Sequence, residues 1–371
     1  MSKWQQTTLG EVCEVRRGTT ITKKQTVEGT VPVIGGGRKP TYYHNESNRE
    51  ENCITVSGSG ASAGLVNIWN EPIFASDCST VEPKDLTQLS NFLYYYLCSK
   101  QDFIYKNFRS GAAQPHVYAK DIETIDYPLV PVSEQERIVA FLDEAFEAID
   151  TAIANTEKNL SNTEELFMSF RKEIFKEITG RSKILPLGKV CENLDKYRVP
   201  ITKSKREAGV IPYYGASGIV DYVAEYLFDE DLLLVSEDGA NLIARTYPIA
   251  FSVEGKIWVN NHAHVLKFEN TNQQEFVEHY LNSISLENWV SGMAQPKLNQ
   301  KALASIPIPW PSNSDLFKLV TSQVIEMKNK SESIMEVNKS KLAALEELKQ
   351  SVLEKAFSGE LTDSVLEEAG V

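Results

Sequence analysis

Apolar positions recur along this chain in two different rhythms. Over residues 133–179 they fall at Ile138, Leu142, Ala145, Ile149, Ala152, Thr156, Phe167, Phe170 and Ile174. Those steps alternate mostly between four and three, which is the seam of a coiled coil rather than the broader face of a globular helix. Pro131, Ser133 and Glu136 mark its start, with the serine and glutamate spaced as a capping box. A helix of ~46 residues would be roughly 69 Å long and needs a partner to bury its seam. The same kind of spacing returns over 315–357, through Val320, Val324, Met327, Ile334, Leu345, Leu348 and Val352. Glu164-Glu165-Leu166 aligns with Glu346-Glu347-Leu348, and Phe175 with Phe357. The chain therefore holds two long helices, each following a larger and less regular region.

The irregular regions carry short apolar runs punctuated by Gly, Asn and Pro. They predict strands at 13–16, 53–57, 65–69 and 72–75 in the first region, and at 232–236, 249–252 and 265–268 in the second. A helix follows the strands in each, at about 89–108 and 274–289. Tyr94, Tyr95, Tyr96 and Tyr105 lie on the first of these, where aromatics at helical spacing read as core.

The two regions are copies of one another. Leu9-Gly10-Glu11-Val12-Cys13 returns as Leu187-Gly188-Lys189-Val190-Cys191, and Val31-Pro32-Val33-Ile34-Gly35 as Ile211-Pro212-Tyr213-Tyr214-Gly215. Ser57-Gly58-Ser59-Gly60-Ala61 returns as Ser236-Glu237-Asp238-Gly239-Ala240, and Gly111-Ala112-Ala113-Gln114-Pro115 as Gly292-Met293-Ala294-Gln295-Pro296. Order and spacing are both kept, which marks a duplication. The layout is residues 1–131, a helix over 132–180, residues 181–311, and a second helix and tail over 312–371.

Charge refines this picture. The formal net charge of −13 argues at first against nucleic acid. By segment, however, residues 131–180 hold 5 basic and 11 acidic side chains, and residues 312–371 hold 7 and 11. Residues 1–130 hold 13 and 14, and residues 181–311 hold 13 and 15. The acid sits on the helices, and the nearly neutral regions leave room for a DNA-binding face. The five cysteines form no CxxC pair and read as reduced thiols in a cytoplasmic protein. No apolar run approaches the ~18 residues of a membrane span. His262-x-His264 has no further cysteine or histidine close by in the sequence, so a zinc site is disfavoured.

Motifs of catalysis are missing. Gly35-Gly36-Gly37 lacks the lysine and hydroxyl residue of a P-loop and reads as a turn needing positive φ. No amino-methyltransferase Asn-Pro-Pro or Asp-Pro-Pro motif and no helicase motif pair appears. Glu82-Pro83-Lys84-Asp85 lacks the carboxylates of a nuclease and reads as a surface turn. Ser57-Gly58-Ser59-Gly60 could suggest a nucleophile elbow, but its copy Ser236-Glu237-Asp238-Gly239 breaks the pattern.

Two variable regions, each with a Gly-x-x-Gln-Pro loop before a run into a long helix, resemble the specificity subunit of type I restriction–modification systems. The helix entry Val132-Ser133-Glu134-Gln135-Glu136-Arg137-Ile138 is similar to that family's, as is Leu353-Glu354-Lys355-Ala356-Phe357-Ser358-Gly359-Glu360-Leu361-Thr362. Ser312-Asn313-Ser314-Asp315, at the second helix, departs from it by lacking the Glu-Gln pair. The resemblance implies an α+β fold with two pseudo-repeated target-recognition domains and two long helices paired as an antiparallel coiled coil. It implies double-stranded DNA with a bipartite site as ligand. Two methyltransferase subunits and restriction/translocase subunits would be partners. No cofactor is expected on this chain, methyl transfer from S-adenosylmethionine belonging to the partners. The competing reading is a coiled-coil adaptor with two protein-binding heads and no DNA binding.

The duplication also sorts the candidate DNA contacts. Positions identical in both copies cannot tell two half-sites apart, so Gly35 and Gly215, Gly60 and Gly239, and Gln114 and Gln295 are structural or phosphate-facing. Loop positions that differ are candidates for base reading: Arg38, Lys39, Tyr42, Ser59, Arg109 and His116 in the first copy. In the second they are Ser217, Asp221, Glu237, Asp238, Asn241, Arg245 and Lys297. Lys23, Lys24, Lys203, Lys205 and Arg206 suit phosphates, which fix register without carrying sequence. Leu166, Phe167, Met168, Phe170, Ile174 and Phe175 point in most directions around the first helix. A two-helix seam cannot bury them all, so the globular units or a docked partner must cover the rest.

Overall fold

The computed structural model describes residues 4–111, 114–292 and 295–358. Gly359, Glu360, Leu361 and Thr362 of the C-terminal motif, and the two central residues of each Gly-x-x-Gln-Pro loop, lie outside the described residues. The chain divides into two compact units, Met1–Glu157 with Ser340–Val371, and Lys158–Lys339.

The first unit opens with β1 (Gln5–Thr8), the single turn α1 (Leu9–Val12) and β2 (Cys13–Arg17). There follow β3 (Val31–Ile34), β4 (Tyr42–His44), β5 (Cys53–Ser57), β6 (Val66–Trp69), β7 (Phe74–Ala75) and β8 (Cys78–Pro83). Three short helices, α2 (Ser90–Ser99), α3 (Gln101–Asn107) and α4 (Ala119–Ile122), precede β9 (Asp126–Leu129). The long helix α5 (Val132–Thr179) then begins. The strands form a sheet ordered β2-β8-β5-β6, a smaller one ordered β4-β3-β7, and a ribbon of β1 with β9. The buried face of the larger sheet packs on α2 and α3 through Ile54, Val56, Val81, Phe92, Leu97 and Ile104.

The second unit repeats this plan. β10 (Lys183–Pro186) and β11 (Glu192–Asn193) lead to β12 (Ala208–Gly215), β13 (Gly218–Val223), β14 (Phe228–Asp229) and β15 (Leu232–Ser236). Then come α6 (Asn241–Ala244), β16 (Ala250–Val253), β17 (Lys256–Val259), β18 (Ala263–Lys267), α7 (Thr271–Ser283), α8 (Gln300–Ser305), β19 (Pro307–Trp310) and α9 (Ser314–Ser358). The sheets are ordered β11-β18-β15-β16 and β13-β12-β17-β14, with a ribbon of β10 and β19. Strand for strand this is the first unit with β14 added. The duplication thus extends from sequence to hydrogen-bond ladder: Ser57 pairs with Cys78 as Ser236 pairs with Ala263.

Within each unit the two long helices bury apolar residues together. In the first, Ile138, Leu142, Phe146 and Ile149 share a core with Leu353 and Ala356. In the second, Phe175 and Ile178 share one with Phe317, Val320 and Val324. The start of α5 therefore meets the end of α9, and the end of α5 meets the start of α9, an antiparallel pairing. The repeat continues into the helices. Phe357 stacks edge-on against Phe92 and Tyr96 of α2, and Phe175 does the same with Phe276 and Tyr280 of α7. Tyr95 and Tyr96 are buried core and Tyr94 packs against it, as their spacing predicted. Tyr105 instead lies under the Arg109 guanidinium, 3.8 Å from ring centroid to Cζ.

Several expectations need correction. The helix expected over 89–108 breaks at Lys100, whose φ of −95° and ψ of 6° leave the helical region. The helix expected over 274–289 is Thr271–Ser283: Asn270 caps it by accepting from the Gln273 N–H, and Ile284 turns extended. Ile334 and Leu348 belong to the apolar rhythm yet are half-exposed, while Ser331 is buried in their stead. None of Gly35, Gly36 and Gly37 has a positive φ. A Cβ on Gly36 would instead stand 2.9 Å from the Ser59 carbonyl oxygen, so the glycine serves close approach of two loops.

The capping box does not form either. Helix α5 starts at Val132, and the Pro131 carbonyl accepts from the Glu134 and Gln135 N–H groups, so Ser133 is already inside the first turn. The anchor is the next residue. The fully buried Gln135 accepts from the Leu89 N–H at 2.9 Å and donates to the Thr87 and Val130 carbonyls, each at 2.8 Å. Replacing it leaves buried backbone groups unpaired. Gln135→Ala is expected to cost about 2 kcal/mol, whereas the exposed Ser133→Ala and Glu136→Ala should stay within about 0.5 kcal/mol. Thermal melts of the three variants check this, and comparable losses at 133 and 136 would restore the capping box.

Candidate nucleic-acid interface

The loops following β5 and β15 are the hub of each unit's candidate site. Gly60 and Gly239 take φ values of +79° and +109° with open space around the missing Cβ. Each donates its N–H to a proline carbonyl of the Gly-x-x-Gln-Pro loop, Gly60 to Pro115 and Gly239 to Pro296, both at 3.0 Å. Gly111 and Gly292 also take positive φ, and a Cβ there would meet the Gln114 or Gln295 carbonyl oxygen at 2.7 and 2.6 Å. Short bridges link Ser59 and Ser110 to His116, and Asp238 and Ser291 to Lys297. The identical positions of the repeat are thus the backbone frame of two equivalent loop clusters. Gly35 and Gly215 belong to it as close contacts, 3.0 Å from Thr41 Oγ1 and Val220 Cγ1 if given a Cβ.

The variable positions hang on that frame with different chemistry. In the first unit Ser59 donates to the Asp77 carboxylate, and the His116 ring stacks on Tyr118 at 6.2 Å. Arg38 and Lys39 are exposed on the loop between β3 and β4, and Tyr42 is half-buried at its end. Lys23 and Lys24 are exposed on a segment tied to the same end of the unit, where the Thr19 N–H reaches the Ala75 carbonyl and the Ile21 N–H reaches Ser76 Oγ. Gln114 and Gln295 are exposed.

In the second unit Ser217 is exposed and donates to the Tyr247 hydroxyl at 3.1 Å. The Asp238 carboxylate receives His262 Nδ1 at 2.8 Å. Glu237 sits in a buried ionic group with Arg198 at 2.7 Å, Lys297 at 3.1 Å and His264 at 3.8 Å. His264 itself faces Asp195 at 2.6 Å and the Leu298 carbonyl at 2.7 Å, so both its ring nitrogens meet acceptors. Burial alone would raise the Asp195 and Glu237 pKa values. For Asp195, His264, the Val265 N–H and Arg198 outweigh it, and for Glu237, Arg198, His264 and Lys297 do, so both carboxyls titrate below their ordinary range. Asp195, Glu237 and His264 lie close enough to share a metal ion, but Arg198 already supplies positive charge to both carboxylates. In the first unit Gly58 and Ser79 occupy the places of Glu237 and His264 and line a pocket of about 80 Å³ beside Arg17 and Asp77.

Other candidates are occupied within the fold. Arg109 donates to the Ala63 and Ala61 carbonyls at 2.7 and 3.2 Å. Arg245, at φ +54°, donates to the Leu281 and Ile284 carbonyls at the end of α7. Asn241 is buried and holds both backbone groups of Tyr247. These three shape loops, each with at least two side-chain hydrogen bonds to backbone. Asp221 and Arg206 form a pair at 2.8 Å, the guanidinium resting over the Tyr213 ring, while Lys203 and Lys205 are exposed. Sequence reasoning missed His262 and Asp195. Their signal lay in the same comparison of copies, since His262 sits in the turn between β17 and β18 and Asp195 in a single turn just after β11.

The docking candidates on α5 split two ways. Phe175 is buried, and Phe167, Phe170 and Ile174 pack partly against the same core. Leu166 and Met168 are each 57% exposed. Phe170 and Ile174 also line a groove of about 460 Å³ with Glu173, Glu177, Met327 and Lys330. Leu348, the repeat counterpart of Leu166, is exposed as well. Among the described residues no helix is long and apolar enough to cross a membrane. None of the five cysteines is in a disulfide, and burial pushes all five thiols up to about 12.

The profile of the family described as "Type I restriction modification DNA specificity domain" matches residues 1–160 and again 181–346, and the chain belongs to that family. A putative type I restriction enzyme specificity subunit of Haemophilus influenzae is 37% identical over 126 residues, 34% of this chain and 32% of that one. A putative type I specificity subunit of Mycoplasma pneumoniae is 24% identical over 230 residues, 58% of this chain and 60% of that one. The chain thus spans about a third and three fifths of these two relatives. Among solved structures, a chain from work on complex assembly and conformational transition of the type I restriction–modification system superposes with a TM-score of 0.76 at 16% identity, covering 95% of this chain and 97% of the other. The HsdS subunit from Thermoanaerobacter tengcongensis gives 0.57 at 17% identity, covering 96% and 97%. The α+β fold with duplicated domains and paired long helices is that of these proteins.

Proposed function

We propose that this chain is the DNA-recognition subunit of a type I restriction–modification complex, each unit reading one half of a bipartite duplex site. The observation that carries this is the pair of loop clusters, built on the same glycines and the same register but bearing different side chains. A single duplex half-site repeated would ask for identical chemistry in both. Two methyltransferase subunits and the restriction/translocase subunits would dock on the acidic helices, using exposed residues such as Leu166 and Met168. Methyl transfer and cleavage would be theirs, in keeping with a chain that carries none of the corresponding sequence motifs. Methyl transfer by the purified chain alone would refute this division of labour.

The test is salt-dependent binding of the full chain, alone and assembled, to duplexes with and without its site. Affinity should fall steeply as salt rises, because each neutralised phosphate releases counterions. Lys23→Ala with Lys24→Ala should weaken binding to every sequence and reduce the log–log salt slope by up to about 2. Loss of discrimination at an unchanged slope would instead make these lysines base contacts. Binding insensitive to salt, or no duplex binding at all, would favour the adaptor reading.

A further inference from the structure

The proposed DNA-reading role leaves open which atoms of the second unit meet a base edge, and the carboxylates first singled out there are poorly placed for it. Glu237 is buried, and the Asp238 side chain is only 19% exposed, with both oxygens facing His262. The exposed ends of these two contacts are their partners: the His262 side chain is 50% exposed and that of Lys297 is 53% exposed. We propose that His262 and Lys297 are the base-reading pair of the second unit, and that Asp238 and Glu237 are the positioning residues that aim them.

The geometry supports each part. The His262 N–H is held by Asn260 Oδ1 at 2.7 Å, and its carbonyl accepts from the Glu237 N–H at 2.9 Å, so the backbone that carries the ring is fixed. In the tautomer that gives Nδ1–H to the Asp238 carboxylate, Nε2 is the outward-facing end of the ring and is an acceptor. Its match on a base edge is an exocyclic amino group, N4 of cytosine or N6 of adenine. Lys297 bridges the backbone of both Asp238 and Ser291, and Glu237, itself pinned by Arg198, holds its ammonium at 3.1 Å. The ammonium keeps donors for the O6 and N7 acceptors of guanine. Two side chains with long or rotatable tips are thereby preorganised before DNA arrives, which reduces the entropy lost on binding.

The first unit supplies an internal comparison. By strand register and by the matching Gly60–Pro115 and Gly239–Pro296 hydrogen bonds, Ser59 stands where Asp238 stands, Asp77 where His262 does, and His116 where Lys297 does. The same three places therefore carry a hydroxyl, a carboxylate and an imidazole in one half, and a carboxylate, an imidazole and an ammonium in the other. Opposite chemistry on one frame is what two different half-sites require.

The experiment is selection from a randomised duplex library by the full chain, alone and in the assembled complex, with each position of the selected site scored. His262→Ala should relax discrimination about tenfold at one base pair of one half-site, and Lys297→Ala should do so at another of the same half-site. Asp238→Asn should lose selectivity at the His262 position alone with an unchanged melting temperature, an effect a merely structural role would not give. His116→Lys should change only the opposite half-site. Intact discrimination in His262→Ala and Lys297→Ala would overturn the inference while the DNA-reading function stood. So would an even loss of affinity over all sequences with a salt slope reduced by about 1, which marks a phosphate contact. A wild-type chain that selects no site at all would sink the function and the inference together.

Discussion

A chain in which residues 187–306 are exchanged for the matching region of another family member is expected to recognise a site with one half changed and the other unaltered. The fold makes this exchange clean for a specific reason. β10 and β19 pair along Lys183–Trp310 to Pro186–Pro307, so the chain enters and leaves the second unit on hydrogen-bonded neighbours. Cuts just inside that ribbon leave the ladder intact, and both joints fall at one place. β1 and β9 close the first unit in the same way, from Gln5–Leu129 to Thr8–Asp126. The graft must bring its own aromatic contacts to the long helices, because Phe276 and Tyr280 pack on Phe175, and Phe276 also packs on Phe317 at 5.0 Å. A donor lacking large residues at those two places would lose packing worth about 3 kcal/mol for each truncated aromatic. Mapping the methylated site of the assembled chimera reads the outcome. Simultaneous change in both halves would mean that the units do not read DNA independently.

The parts of this architecture that sequence made visible are those whose physics is repetitive. The helices announce themselves because Ile138, Leu142 and Ile149, like Val320 and Val324, must meet a partner helix every three or four residues. The same rhythm misled at Ile334 and Leu348, where apolar side chains face outward and Ser331 takes the seam. Periodicity records which residues are apolar, and the register of two helices is settled only by what packs opposite. Four of the missed strands share a different cause. β3, β9, β12 and β19 contain Pro32, Pro128, Pro212 and Pro307 with Pro309, and a proline ordinarily argues against a strand. β8 is buried at its first four residues, Cys78 to Val81, so it shows no polar alternation at all.

Candidate contacts were legible as places and much less so as roles. Comparing the copies led to loops that the fold brings together, since Ser59 and His116, and Asp238 and Lys297, are bridged in the two clusters. It could not tell an exposed donor from one already engaged. Arg109 and Arg245 look like guanine contacts in sequence, yet their guanidinium groups hold backbone carbonyls. His262, in the turn between β17 and β18, stayed hidden because its place beside Asp238 is set by strand pairing that the sequence does not display.

Replacing Arg198 by methionine is expected to be the most destabilising single change in the second unit outside its apolar core. The guanidinium is 13% exposed and bridges Glu237 at 2.7 Å and Asp195 at 3.5 Å, side chains that are 12% and 6% exposed. Removing this partner leaves desolvated carboxylates with His264 and the outlying Lys297 as their remaining ionisable partners, a loss of about 3 kcal/mol at pH 7. The pH dependence fixes the cause. In the wild type both carboxyls titrate below the ordinary values of 3.8 and 4.5, so the unfolded chain takes up protons before the folded one. Their contribution is complete above those ordinary values and is lost as pH falls through the lower folded ones. In Arg198→Met the balance shifts towards burial, which raises both carboxyls, so acid protonates the folded state more readily than before. The stability gap between wild type and variant should therefore be widest near pH 7 and narrow between about pH 5 and pH 3. Thermal melts across that range measure it directly. A gap that stays constant with pH would mean that Arg198 acts through packing of its aliphatic stem and not through the carboxylates it bridges.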